Sequence, residues 1–224
     1  SGGYQTLTPV MPDPTEAYVQ VSTGVTHSCG ITQVGILKCW GTNTYGQLGN
    51  GTTTSNCNPT VVDSGVTYSK VSVGTSHTCA ITTSNQLKCW GLNSNGQVGD
   101  GTTTNKLSPQ FIGSRWVDVA TGHNHSCALG SAGWAQCWGD QSQGKLGNGQ
   151  TTGNALSPVM SGYTTYSSIG ASRDHTWGIT TSGVLQAWGA GVNYALGNNS
   201  TGNQATPLTI DSGTTYQSAA VGEG

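Results

Sequence analysis

The apolar positions of the chain recur with a period of two rather than 3.6. Tyr68-Ser-Lys-Val-Ser-Val alternates, Thr78-Cys-Ala-Ile makes a short apolar run, and Gln86-Leu-Lys-Cys-Trp alternates again. Alternation of this kind, bounded by Gly-, Asn- and Ser-rich breaks, predicts half-buried β-strands and no helix. The segment from Asn93 to Gly101 is turn chemistry, because Asn-Gly and Asp-Gly suit positive φ. A last short strand is expected around Ser108-Pro-Gln-Phe-Ile, where proline fits an edge or a strand end.

This pattern of about four strands is written repeatedly. Aromatic residues open it at Tyr18, Tyr68, Trp116, Tyr166 and Tyr216, spaced 50, 48, 50 and 50 residues apart. Prolines recur at Pro9, Pro59, Pro109, Pro158 and Pro207, and Gly-Asn-Gly or Gly-Asp-Gly turns at 49–51, 99–101 and 147–149. All 224 residues therefore read as one repeat domain, with full repeats at 18–67, 68–115, 116–165 and 166–215. Residues 6–17 read as the tail of a preceding repeat and 216–224 as the opening of a fifth. Units of four strands that cannot bury an apolar face alone predict an all-β propeller of stacked blades. Four full and two half repeats make an incomplete or small ring.

One hairpin organises each repeat. It runs from His27, His77, His125 or His175 to a Trp-Gly at Trp40, Trp90, Trp138 or Trp188. The marks Gly74, His77, Ala80, Ile81, Leu87, Trp90, Gly91, Asn93, Gly96, Gln97, Val98 and Gly99, with counterparts in the other repeats, resemble the regulator of chromosome condensation repeat family. The resemblance covers nearly the whole chain. It implies a β-propeller, usually of seven blades, with a ring closed by strands from both chain ends. It also implies that the recurring histidine tethers neighbouring strands by hydrogen bonds. Nucleotide exchange on a small GTPase at chromatin and inhibition of a secreted β-lactamase are both activities known in that family.

Three hairpins carry cysteines ten residues apart: Cys29 and Cys39, Cys79 and Cys89, Cys127 and Cys137. In a hairpin whose turn centres near residue 84, Cys79 and Cys89 stand opposite one another, within disulfide reach. In the fourth hairpin the same positions hold Trp177 and Ala187, a large residue facing a small one, as expected if the two positions touch. Disulfides are favoured over free core thiols, and over zinc, whose ligands would have to converge from separate blades. Three bridges imply an oxidising compartment, secreted or at the cell surface. Cys57 is left over, either as a surface thiol or as an intermolecular partner.

Composition narrows the function. The net charge is −2, only 7% of residues are charged, and the seven Lys and Arg are scattered singly. No basic footprint for nucleic acid exists, and no apolar run is long enough for a membrane span. The nine Asp and Glu include Asp63, Asp118, Asp140 and Asp211, which share no motif, and neither a nucleophile elbow nor a phosphate-cradling loop occurs. The expectation is no enzyme, no cofactor and no metal, although His123 and His125 form a His-x-His on one strand face of the kind that can bind a metal. Asn-x-Ser/Thr sequons stand at Asn50, Asn124, Asn198 and Asn199.

Candidate binding residues are the variable loop positions Tyr45, Asn95 and Gln143, together with the departures of repeat four. There Ser172 replaces a glycine, Tyr194 replaces another, Ala195 replaces Gln47 and Gln97, and Arg173-Asp174 form a charged pair. Exposed aromatics and arginine are enriched at interaction hot spots. The alternative is a terminal repeat relaxed for capping. The expected function is extracellular, adhesin-like recognition of a protein or glycan ligand. Two alternatives stand beside it: a structural subunit joining head-to-tail through the half repeats as a homo-oligomer, and a secreted enzyme inhibitor.

Overall fold

The computed structural model describes residues 16–220. It is built of fifteen antiparallel strands arranged as four blades. Blade one holds β1 (Tyr18–Thr23), β2 (His27–Thr32), β3 (Leu37–Gly41) and β4 (Asn56–Val61), hydrogen-bonded in that order. Blade two holds β5 (Tyr68–Val73), β6 (His77–Thr82), β7 (Gln86–Gly91) and β8 (Lys106–Ser114). Blade three begins with β9 (Trp116–Thr121), β10 (His125–Gly130) and β11 (Trp134–Asp140). Blade four ends with β13 (His175–Thr180), β14 (Leu185–Gly189) and β15 (Gln204–Asp211).

Between blades three and four the chain does not break. β12 (Asn154–Ala171) pairs with β11 through its first half and with β13 through its second, joining both blades in one seven-stranded sheet. The sequence pattern expects a boundary at 165/166. Blades one and two are separated by left-handed residues at Asp63 and Gly65, and blades two and three by Arg115, whereas within β12 only Gly162 has positive φ. The irregularity there is absorbed as a register shift, from Gln136↔Met160 to Trp134↔Thr165.

Each hairpin register places its chemistry as the numbering requires. Cys29↔Cys39, Cys79↔Cys89 and Cys127↔Cys137 are directly paired, with Cα atoms 4.1, 4.1 and 4.0 Å apart, and all three pairs are disulfide-bonded. In the fourth hairpin Trp177 faces Ala187. Cys57 is an exposed free thiol on β4, the outermost strand of blade one.

The core lies between blades. Ile31, Leu37 and Leu48 of blade one pack against Tyr68, Val71 and Trp90 of blade two. The same apolar sandwich recurs between blades two and three, and between three and four. Strand one of each blade therefore owes its burial to the preceding blade. Val71, Val119 and Ile169 are 3%, 8% and 6% exposed, while their counterpart Val21, on the first described blade, is 53% exposed. The outer face of blade four, with Trp177, Ile179 and Leu196, is covered by Tyr216 and Ala219.

Tyr216 repeats the entry geometry of a blade. Its N–H donates to Gly183 O (2.8 Å), as Tyr68 N–H does to Gly35 O and Tyr166 N–H to Gly133 O. Residues 216–220 form no strand. Most of the other expected half repeat, residues 6–15, lies outside the described residues, as do 221–224.

Candidate functional site

Two devices lock each blade to the next and set the position of the rim loops. The first is the histidine. His27 Nε2 meets Thr78 Oγ1 at 2.8 Å, His77 Nε2 meets Ser126 Oγ at 2.9 Å, and His125 Nε2 meets Thr176 Oγ1 at 2.9 Å. Each hydroxyl in turn donates to a carbonyl of the earlier blade's loop, Gln47 O, Gln97 O or Lys145 O, at 2.8–2.9 Å. A hydroxyl that donates its single proton to a carbonyl must accept from the imidazole, so Nε2 carries the hydrogen. The tether expected from the sequence thus runs between blades.

The second device is the tryptophan. Trp90 and Trp138 lie against Gly49 and Gly99 of the preceding blade, and their indole N–H groups donate to Gln47 O and Gln97 O at 2.9 Å. Those glycines have φ of +71° and +85°, and a Cβ on either would enter the indole ring. Positive φ and close approach both demand glycine there.

The loops between the third and fourth strands are organised from within by a buried asparagine. Asn93 Oδ1 accepts Val98 N–H at 2.9 Å, while its amide group donates to Thr102 O and Thr104 O at 2.9 and 3.1 Å. Asn43 repeats this in blade one. The sequence marks Asn93 only as part of a repeat motif. Its role as the keystone of a nine-residue turn could have been read from its fixed place before the Gly-x-Gly. In blade three Gln141 takes its position and holds Asn148 instead, and in blade four Gly191 leaves it without a side chain.

A second missed feature concerns the carboxylates. Asp63 accepts the Tyr68 hydroxyl at 2.8 Å and pairs with Lys88 Nζ at 2.5 Å. Asp211 accepts the Tyr216 hydroxyl at 3.2 Å. An Asp five residues before the tyrosine that opens the next repeat was the available signal. Burial first, and then its bond to Asp63, raises the Tyr68 phenol well above its usual range. Asp118 instead bridges blades two and three, taking Lys70 Nζ at 2.7 Å.

Of the six candidate binding residues, Gln143, Arg173 and Asp174 line one cleft of about 350 Å³, and Tyr194 lies between two more of its lining residues, Asn193 and Ala195. Ser172 and His175 also line it. Tyr45 and Asn95 are not brought to it. They sit on the loops of blades one and two, where Gly46 abuts Leu107 and Asn95 Nδ2 lies 3.5 Å from Asn154 Oδ1.

Beside the cleft is an ion cluster. Lys145, with a side chain 3% exposed, reaches Asp140 at 2.9 Å and Asp174 at 2.8 Å, and Arg173 Nε lies 3.5 Å from the other Asp174 oxygen. Burial alone would raise the Asp140 carboxyl, but the Ser142 N–H and Lys145 hold it below its ordinary value. Lys145 occupies the place of Gln47 and Gln97, whose amide oxygens accept Tyr45 and Asn95 N–H in blades one and two. His123 lines a second pocket, at the axial ends of the first strands with Gly24, Gly74 and Gly122, that shares Ser172 and Arg173 with the cleft. Among the described residues no group of three His, Cys, Asp or Glu side chains is placed to hold a metal.

Models of the regulator of chromosome condensation (RCC1) repeat match residues 18–47 and 68–97, and residues 35–81 and 86–129. Together they span 18–129, half of the chain. The chain belongs to the RCC1 repeat family. The E3 ubiquitin-protein ligase HERC2 of Homo sapiens is 48% identical over 44 residues, which is 20% of this chain and 1% of that protein, and HERC2 of Mus musculus matches equally. Among solved structures, Prp20p of Saccharomyces cerevisiae aligns with a TM-score of 0.79 at 21% identity, over 90% of this chain and 52% of that one. Human WBSCR16 aligns with a TM-score of 0.78 at 24% identity, over 90% of this chain and 55% of that one. These likenesses fix the fold: the RCC1 repeats here form a β-propeller arc that spans about half the length of the solved relatives.

Proposed function

We propose that the protein is a non-enzymatic recognition module of an oxidising, extracellular setting, which binds a protein partner through the rim loops of its blades. The observation that carries this reading is the contrast within those loops. Their interiors are held by repeated bonds from Asn43 and Asn93 and by cross-blade tethers, while their tips vary, as Tyr45, Asn95, Gln143 and Asn193. A rigid frame presenting variable tips is how scaffolds carry binding function. Family members support the choice of a protein partner: yeast RCC1 (Prp20) has been seen bound to Kap60, and Prp20p has been studied for binding to Gsp1p and histones. The three stapled hairpins support the compartment, since such bonds persist outside the reducing cytosol.

The test is a binding screen of the disulfide-bonded protein against secreted and cell-surface proteins, repeated with a Tyr45→Ala/Asn95→Ala variant. Saturable binding that the double variant loses at unchanged melting temperature is expected. A partner bound equally well by the variant refutes the loop reading. Seven titratable thiols in the natively produced, folded protein would refute the compartment.

A further inference from the structure

The cleft at blade four gathers nearly every departure of that repeat from its siblings. Ala195 stands where Gln47 and Gln97 fill the corresponding space. Asn193 and Tyr194 have φ of +54° and +61°, two successive non-glycine residues in the left-handed region. At the second of these, the siblings Gly46, Gly96 and Gly144 adopt φ of +81°, +80° and +82° at no steric cost. An aromatic side chain held in that conformation is strained, and the Tyr194 ring is 60% exposed, so it gains little from packing. Strain retained without a folding benefit points to a role in binding.

The axial side of the cleft differs too. A methyl group on Gly24, Gly74 or Gly122 would run into the carbonyl of Gly74, Gly122 or Ser172 of the following blade. Ser172 carries the Cβ that its siblings lack, and its hydroxyl bonds His175 Nδ1 at 2.9 Å. A further blade stacked at the sibling spacing would meet that side chain. His175 is 8% exposed and, unlike the other three, has no hydroxyl of a following blade against Nε2 among the described residues.

The chemistry of the lining selects the ligand. Both carboxylates of the neighbouring cluster are compensated, Asp140 by Lys145 and Asp174 by Lys145 and Arg173, so neither sign of charge is left in excess. An apolar ligand would strand the amides of Gln143 and Asn193 without partners. A neutral molecule bearing many hydroxyls satisfies them, Ala190, Val192 and Ala195 supply apolar surface for its carbon skeleton, and the exposed Tyr194 stands on the same loop between Asn193 and Ala195. The cleft volume lies in the range of small-molecule sites. We infer that the cleft between the blade-three loop at Gln143 and the blade-four loop 190–195 binds a neutral saccharide unit, with Tyr194 as its aromatic platform. This inference stands apart from the protein-partner reading, which depends on Tyr45 and Asn95.

The experiment is amide-detected NMR titration of the 224-residue protein with neutral hexoses, N-acetylhexosamines and their disaccharides, alongside acetate and short neutral peptides. Saccharide-induced shifts confined to residues 143, 172–175 and 190–195 are expected. Ala195→Gln restores the sibling side chain and should abolish them. Tyr194→Gly relieves the strained backbone, so it should weaken binding at least about tenfold while leaving the melting temperature equal or higher. That pairing separates a lost ligand contact from a lost fold. Absence of shifts with every neutral saccharide, saccharide binding that survives Ala195→Gln, or a response to peptides or acetate alone would each overturn the inference.

Discussion

The three histidine tethers make the fold acid-labile in a defined window. In each, the imidazole must be neutral with its hydrogen on Nε2, because the hydroxyl it meets already donates to a carbonyl. The opposite nitrogens, Nδ1 of His27, His77 and His125, are buried with no partner. Protonation would place a charged N–H there in a buried site, a cost that a backbone bond to His125 offsets only in part for His77. Burial accordingly lowers His27 to about 4, and His77 and His125 to about 3, the latter two also pressed down by neighbouring cations or imidazoles. A folded pKa below the unfolded value of about 6.5 means that the unfolded chain binds more protons. Stability is therefore complete above about pH 6.5 and is lost as pH falls from there towards the folded values.

The magnitude follows. Between pH 6.5 and 5 each tether loses about 1.6 kcal/mol, and the three together about 5 kcal/mol, with a limiting slope near 4 kcal/mol per pH unit. That rivals the whole stability of an ordinary domain, roughly 5–15 kcal/mol. Carboxylates do not confuse the window: Asp100 and Asp140 are held below their ordinary value, so the stability they lend is lost only as pH falls towards 4 and below. His175 is lowered by burial as well and adds in the same direction. The assay is denaturant unfolding followed by tryptophan fluorescence at half-unit steps from about pH 7 to 5. His77→Gln should remove about one third of the slope. A flat stability over that range, or a native-state NMR titration of His77 near 6.5, would refute the tautomer argument.

Three further outcomes follow from the packing and the turns. Replacing Cys79 and Cys89 together by alanine should cost at most about 2–3 kcal/mol, the chain-entropy value for so short a loop, read as a shift in denaturation midpoint. Asn93→Ala leaves Val98 N–H, Thr102 O and Thr104 O without their partner and should cost about 3 kcal/mol, whereas Gln141→Ala, which breaks a looser set, should cost less by the same assay. Val71→Ala should cost about 2 kcal/mol and its exposed counterpart Val21→Ala under about 0.5. Equal costs at the two valines would contradict the account of blade stacking.

Much of the fold was legible because its marks are periodic. The opposed cysteines, the Trp-Gly ends and the opening tyrosines each sit at one place in a fixed register, and a register shift of one residue would turn all of them to the wrong face. What escaped was non-periodic or involved two blades at once. The unbroken β12 could not be foreseen, because the repeat pattern marks Tyr166 as an opening residue in the same way as Tyr68 and Trp116. The histidines could be assigned as tethers, but their hydroxyl partners lie about fifty residues away in separate strands. For the candidate site, the sequence flagged Gln143, Arg173, Asp174 and Tyr194 singly as departures or loop tips. Only the stacking of blade three on blade four shows that Gln143, Arg173 and Asp174 share one cleft, with Tyr194 on the loop that borders it, and that Tyr45 and Asn95 do not.

This division has a physical cause that bears on function. The same carbonyl, Gln47 O or Gln97 O, accepts both a cross-blade hydroxyl and a tryptophan N–H, so the loop carrying it is held by the next blade as firmly as by its own. Lys145 O keeps the hydroxyl, but Trp188 Nε1 finds no acceptor, and Lys145 turns its side chain to two aspartates. At Ala195 the side chain that braces the loop from within in blades one and two is gone, and the loop carries a strained tyrosine instead. From blade one to blade four the loop-locking contacts thin out while the unusual side chains accumulate. Rigidity is concentrated in the first two interfaces, and the cleft proposed to take a ligand lies at the third, where that locking is weaker. In a stack whose stability is a sum of nearest-neighbour terms, a departure at the last described blade weakens one interface only, so blade four is where sequence novelty costs the fold least.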